Sequence, residues 1–291
     1  MIDGLQMAVL SLVAICCGTI GPFLVLKKMA MFANSLSHTI LLGIGVAYLI
    51  ASHLWGGALF DLSTLLIGAL AAALITALFT EGLVRFLRLQ EDASVGLVFT
   101  ALFALGITFV TVFTKNVHLG VEAVMGNADI LQGSDLKSAS ILALLNVSTV
   151  FLFYRQFQLG CFDQGLARTL GVKTGLFHFL LLFLAALTCI GAFRAVGVLL
   201  VLAFLVGPYL TARLFCHRLP WLIFWSSAIG VLASIAGVLL SRHMLDFYDL
   251  ALSTGGIVVV LIGLFYVAGV FIQSGRKIIT GSALSRRQDR R

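Results

Sequence analysis

Cys161-Phe-Asp-Gln-Gly-Leu-Ala-Arg-Thr-Leu-Gly-Val172 is the one mid-chain interval with helical character that cannot be a membrane span. Phe162, Leu166 and Leu170 recur at i, i+4 and i+8 and so share one helical face, while Asp163, Gln164 and Arg168 point elsewhere. Gly171 supplies a C-terminal stop, because glycine tolerates the left-handed backbone that ends many helices. A short amphipathic helix between greasy segments lies on a bilayer or docks into another protein; an incidental loop is the third reading. The flanking sequence decides between them.

On both sides the chain is too apolar for a soluble domain. Hydrophobic residues make up 60% of 291 and charged residues 11%, with a mean hydropathy of +1.11. Soluble domains carry about 25% charged residues, so this is an integral membrane protein. A span needs about 20 apolar residues. By that measure the sequence predicts nine spans, near 5–26, 34–53, 62–84, 94–113, 138–154, 175–192, 195–215, 221–240 and 251–273, with eight to ten admissible. The pair at 175–215 is the least separated, divided only by Arg194, Gly191 and Gly197. The fold class is an all-α polytopic transmembrane bundle. Its abundant glycine, 29 residues, suits close helix approach.

The basic residues orient the bundle. With the N-terminus outside and spans alternating, the cytoplasmic ends hold Lys27, Lys28, Arg85, Arg88, Arg155, Arg168, Lys173, Arg213 and Arg218. The tail 276–291 adds Arg276, Lys277, Arg286, Arg287, Arg290 and Arg291. Only Lys115, Lys137, Arg194 and Arg242 fall outside. This is the positive-inside asymmetry, so the net charge of +7 reflects topology and not a nucleic-acid partner. The membrane-embedded body is 1–275, followed by a basic cytoplasmic tail. The outer face collects Asp3, Asp61, Glu122, Asp129, Asp135, Asp246 and Asp249 with His53, His118 and His243. That face suits a cation or a docking protein, or simply mirrors the basic bias. The five cysteines form no Cys-x-x-Cys pair and read as small packing residues. The N-terminus lacks the basic region of a cleavable signal, so the first run is expected to be retained. No Gly-x-x-x-x-Gly-Lys-Ser/Thr pattern is present, which excludes ATP binding by that route.

Four stretches carry polar groups. Asn34 and His38, in Met31-Phe-Ala-Asn-Ser-Leu-Ser-His38, share a helical face at i, i+4. An imidazole entering an apolar run needs a partner or water; it is also a good ligand for first-row metals. The plainer reading is a helix-start histidine bonded to a carbonyl. Glu91-Asp-Ala-Ser94 resembles a helix N-terminus whose dipole is complemented by acids. Gly207-Pro208 inside an apolar run predicts a kink or break. Tyr248-Asp-Leu-Ala-Leu-Ser-Thr-Gly-Gly256 opens the last span. Glu91, Asp92 and Pro208 stand as pathway or gating candidates.

Together these segments resemble the membrane permease of the manganese/zinc/iron ABC importer family. The family pattern Gly-Asp-Ala-Leu-Ser-His-Ala-x-Leu-x-Gly is matched by Ala33-Asn-Ser-Leu-Ser-His-Thr-Ile-Leu-Leu-Gly43, with Asn34 where the family has Asp. Glu91-Asp-Ala-Ser-Val-Gly96, Leu119-Gly120 with Met125-Gly-Asn127, Phe162-Asp163 with Ala167 and Leu170-Gly171, and Val196-Gly197 through Pro208 to Arg213 follow in order. No single piece is specific; five in order are. The resemblance implies a fold similar to vitamin B12 and siderophore permeases, in the bacterial inner membrane, with a cytoplasmic C-terminus. It implies that Ala167-Arg-Thr-Leu-Gly171 is a coupling helix, with Asp163, Leu166, Ala167, Arg168, Leu170 and Gly171 meeting an ATPase. It implies transient metal contact at His38 and Asn34, and no permanently bound cofactor. The implied partners are a cytoplasmic ABC ATPase dimer that binds the ATP, an extracytoplasmic metal-binding protein, and a second permease, identical or paralogous. The permease itself would be no enzyme. An ion-gradient-driven secondary transporter is the alternative, but the spans are nearly free of the buried acids a relay requires. A membrane-embedded enzyme is the third reading, but neither a His-Glu-x-x-His pattern nor a paired intramembrane Asp is present.

Overall fold

Every one of the nine apolar runs falls on a helix in the computed structural model, which describes residues 2–54, 62–113, 128, 131–248 and 252–288. The helices are α1 (Ile2–Leu26), α2 (Met31–Leu54), α3 (Leu62–Phe86), α4 (Glu91–Phe113), α5 (Gly133–Leu152) and α6 (Tyr154–Phe162). They continue as α7 (Gln164–Thr169), α8 (Thr174–Val196), α9 (Val198–Phe215), α10 (Leu219–Tyr248) and α11 (Thr254–Gln288). Among the described residues, eight helices are long and apolar enough to cross a bilayer, and α2 carries a shorter apolar stretch, Met31–Ala47. The chain is a multi-pass membrane protein. Its last helix runs unbroken to Gln288, so the basic tail begins as a continuation of that helix.

Helices that are apolar all round must face hydrocarbon or one another. α1 and α8 are mostly buried, whereas α4, α5 and α11 are peripheral. Accordingly Leu105 and Val112 of α4, Leu144 and Phe151 of α5, and Phe271 of α11 are exposed. Such residues would be misplaced in water and are at home in lipid. α1 packs against α10, α5 and α9; α2, α3 and α4 form a second group, joined to the first through α8. Buried hydroxyls and amides tie the helices pairwise. Thr76 of α3 donates to Thr39 of α2 at 3.1 Å, and Asn146 of α5 donates to Thr188 of α8 at 2.7 Å. Cys16, Cys17 and Cys189 are free and fully buried, as expected of packing residues.

α2 and α3 approach backbone to backbone at Gly43 and Gly68. A Cβ on Gly43 would run into the Gly68 carbonyl, and one on Gly68 would meet the Gly43 carbonyl. Gly43→Val is therefore expected to destabilise the bundle by about 1–3 kcal/mol, the usual scale of overpacking. Thermal unfolding in detergent measures it, and an unchanged transition contradicts this packing.

The predicted break at Gly207-Pro208 does not occur. α9 runs through Pro208, which is buried, and the interruption falls earlier, at Gly197 with φ +85°. Proline removes one backbone hydrogen bond, but in hydrocarbon the remaining groups find no partners outside the helix, so the helix continues. Only glycine readily adopts the Gly197 conformation. This resolves the closely spaced pair 175–215 into two helices. His118, Glu122, Asp129, Leu119-Gly120 and Met125-Gly-Asn127 lie outside the described residues, as do Lys115, Asp61 and Asp249.

Candidate functional site

The interval 161–172 folds as two short helices rather than one. Asp163 takes an extended backbone, and its Oδ1 accepts the Leu166 N–H at 2.9 Å, which caps α7. Phe162 therefore ends α6 and does not share the helix of Leu166; the side-chain cap overrides the i, i+4, i+8 pattern. The stop at Gly171 is as expected, with φ +76°. Val172 N–H donates to Ala167 O at 2.9 Å and Gly171 N–H to Arg168 O at 3.0 Å, the paired bonds of a Schellman ending. Ala167 is fully buried, whereas Leu166 and Leu170 are 48% and 61% exposed. A six-residue helix held by its own caps thus presents two leucines, one turn apart, to whatever lies beyond it.

Asn34 and His38 lie on α2, both half-buried. The His38 ring sits 4.9 Å from the Phe103 ring and 5.4 Å from the Phe99 ring, both of α4. Among the described residues it is aromatic rings, and not a carbonyl, that hold the imidazole. The Asn34 backbone carbonyl accepts from Ser37 Oγ at 2.7 Å. Among the described residues no group of three His, Cys, Asp or Glu could hold a metal ion. Asn34 and His38 are therefore not joined by a third His, Cys, Asp or Glu among the described residues.

Glu91 and Asp92 open α4, as the acidic first turn predicts. Glu91 lines a cleft of about 610 Å³ that also takes in Glu81, Arg85, Arg168, Lys173 and His178. The gating candidates are thus separated: Glu91 opens on this cleft, beside Arg168 of α7, whereas Pro208 is buried in α9.

Sequence reasoning missed what lies along that cleft. Lys27, just past α1, places its Nζ 2.6 Å from His178 Nδ1. His178 Nε2 lies 3.0 Å from Glu81 Oε2, close but without hydrogen-bond alignment. Glu81 Oε1 in turn accepts from Arg85. Burial holds the Lys27 ammonium below the usual lysine range, an effect opposed by the charges of Glu91 and Glu81. The available signal was a histidine and a glutamate placed about one turn inside apolar spans, where each is costly without partners.

A family model described as the ABC 3 transport family matches residues 1–273. A "probable metal transport system membrane protein" of Chlamydia muridarum is 37% identical over 275 residues, covering 94% of this chain and 86% of its own. The manganese transport system membrane protein MntD of Bacillus subtilis is 34% identical over 283 residues, covering 92% and 91%. Among solved structures, PsaBC from Streptococcus pneumoniae in complex with Fab superposes with a TM-score of 0.72 at 24% identity, over 92% of this chain and 90% of that one.

Proposed function

We propose that this chain, which belongs to the ABC 3 transport family, is the membrane permease subunit of an ATP-driven importer of divalent transition-metal ions. The observation that carries the reading is α7. It is short, capped at both ends, and leaves Leu166 and Leu170 exposed, on the side to which alternating spans assign most of the Lys and Arg. Apolar side chains exposed beside charged groups suit a hydrophobic pocket in a partner. An ABC ATPase dimer is the partner the family reading supplies. ATP binding and hydrolysis would then move α7 and alternate access to a path between two permeases, identical or paralogous, fed by a metal-binding protein outside.

His38 and Asn34 form the metal contact in this reading. Two neutral ligands bind a cation weakly, which suits an ion that must leave again. Two permeases facing one another would bring four such groups together, the usual number around zinc and workable for manganese or iron with added water. Manganese is favoured as cargo because relatives named for manganese transport cover most of this chain. Zinc and iron remain within the chemistry of the ligands.

The reading also fixes orientation, with α7 and the C-terminus in the cytoplasm. Burial pushes the Cys161 thiol up to about 11, so at neutral pH it is protonated and a poor nucleophile. A cysteine replacing exposed Thr169, in a chain with Cys161 and Cys216 changed to serine, is expected to react with maleimide only after permeabilisation. Labelling in intact cells contradicts the orientation. The transport reading is tested against the gradient-driven alternative with ionophores: uptake should persist when proton and sodium gradients are collapsed but ATP is maintained, and uptake lost with the gradients contradicts it.

A further inference from the structure

The chain of groups from Lys27 to Arg85 has no place in the metal contact. The Lys27 ammonium can only donate, so His178 Nδ1 accepts, and the imidazole proton belongs on Nε2, toward Glu81. The order is cation, neutral imidazole, carboxylate, cation. With Lys27 on one ring nitrogen and Arg85 on the carboxylate, this cluster is not built to receive a metal. It joins the ends of three helices, since Lys27 follows α1, Glu81 lies near the end of α3, and His178 lies one turn into α8. His178 is only 6% exposed.

The docking helix has a direct connection to this cluster. Four residues, Leu170 to Lys173, separate α7 from α8, and they are bonded throughout. Gly171 and Val172 N–H donate back into α7, and Thr174 N–H donates to Val172 O at 2.8 Å. A displacement of α7 is therefore delivered to the first turn of α8, immediately before His178. Arg168 of α7 and Lys173 line the same cleft as His178, Glu81 and Glu91. Glycine at 175 leaves the Arg85 guanidinium room against the start of α8, since a Cβ there would collide with it.

We propose that Lys27, His178 and Glu81 act as positioning residues: a latch that locks α1, α3 and α8 in register and opens when α7 moves α8. The inference rests on the docking role assigned to α7 under the transport reading. The Lys27–His178 hydrogen bond is costly to break at a buried imidazole, and Glu81 lies 3.0 Å from the other ring nitrogen, so the closed arrangement resists partial slippage. It turns a displacement at the ATPase into a concerted shift of three helices.

The test uses the complete complex, with ATPase and metal-binding protein, in proteoliposomes. Metal taken up and ATP hydrolysed are measured together. His178→Leu and, separately, Lys27→Met are expected to keep ATPase association and hydrolysis. Metal moved per ATP should fall about fivefold or more, the lower range of coupling between sites. His178→Gln, which can accept from Lys27 and donate toward Glu81, should restore the ratio. The double variant should lose no more than the worse single one. An unchanged ratio in Lys27→Met overturns the latch, as does a loss of transport that merely follows loss of assembled complex. A wild-type complex that hydrolyses ATP without moving metal contradicts the transport reading, and the latch falls with it.

Discussion

His38→Ala is expected to reduce metal uptake to background while the permease–ATPase complex still assembles. The ring is half-buried, and Phe99 and Phe103 hold it. Alanine removes the only imidazole of the pair while leaving α2 with its backbone bonds, and alanine favours helix. The amide of Asn34 is a poorer ligand than a carboxylate for borderline ions, so it cannot carry the contact alone. Asn34→Asp restores the residue of the family pattern and is expected to be tolerated, with tighter metal retention. Uptake of radioactive manganese, normalised to permease abundance, measures both. Unchanged uptake in His38→Ala at normal abundance would return this histidine to packing between two phenylalanines.

Leu170→Asp is expected to abolish ATPase association without disturbing membrane insertion. Leu170 is exposed at the C-cap of α7, so the fold itself has little to lose. At a docked interface the new carboxylate would be buried without a partner, costing about 2–3 kcal/mol or more, or roughly 30- to 150-fold in affinity. Co-purification of the ATPase with tagged permease measures it. Normal recovery of the ATPase would remove α7 from the interface. Ala167→Asp would be a less informative variant, because Ala167 is fully buried and charge there threatens α7 itself.

The span positions were legible because each apolar run is long and bounded by charge, and nothing else satisfies the backbone in hydrocarbon. Interruptions were harder to read. Gly207-Pro208 looked like a break, yet the break lies at Gly197, where a positive φ is adopted. The spacing of Phe162, Leu166 and Leu170 suggested one continuous helix. The Asp163 carboxylate ends it and starts another, because side-chain capping competes locally with helix propagation. Asn34 and His38 were found by spacing and family pattern, and α2 does carry both on one helix. Their aromatic neighbours come from α4, which no local pattern announces. For the Lys27–His178–Glu81 chain the sequence offers only two costly residues inside apolar spans; Lys27 follows α1 while Glu81 and His178 sit on α3 and α8, and only the assembled bundle brings them together.

ATP hydrolysed by a partner subunit is expected to drive metal through this permease. This is tested most directly by proteoliposomes holding the permease with either an active ATPase or one disabled in its nucleotide site. The metal-binding protein is supplied on one side and ATP on the other. Manganese is expected to accumulate with the active ATPase and not with the disabled one, although both complexes assemble. Equal accumulation in the two preparations, or none in either with ATP being hydrolysed, would contradict it.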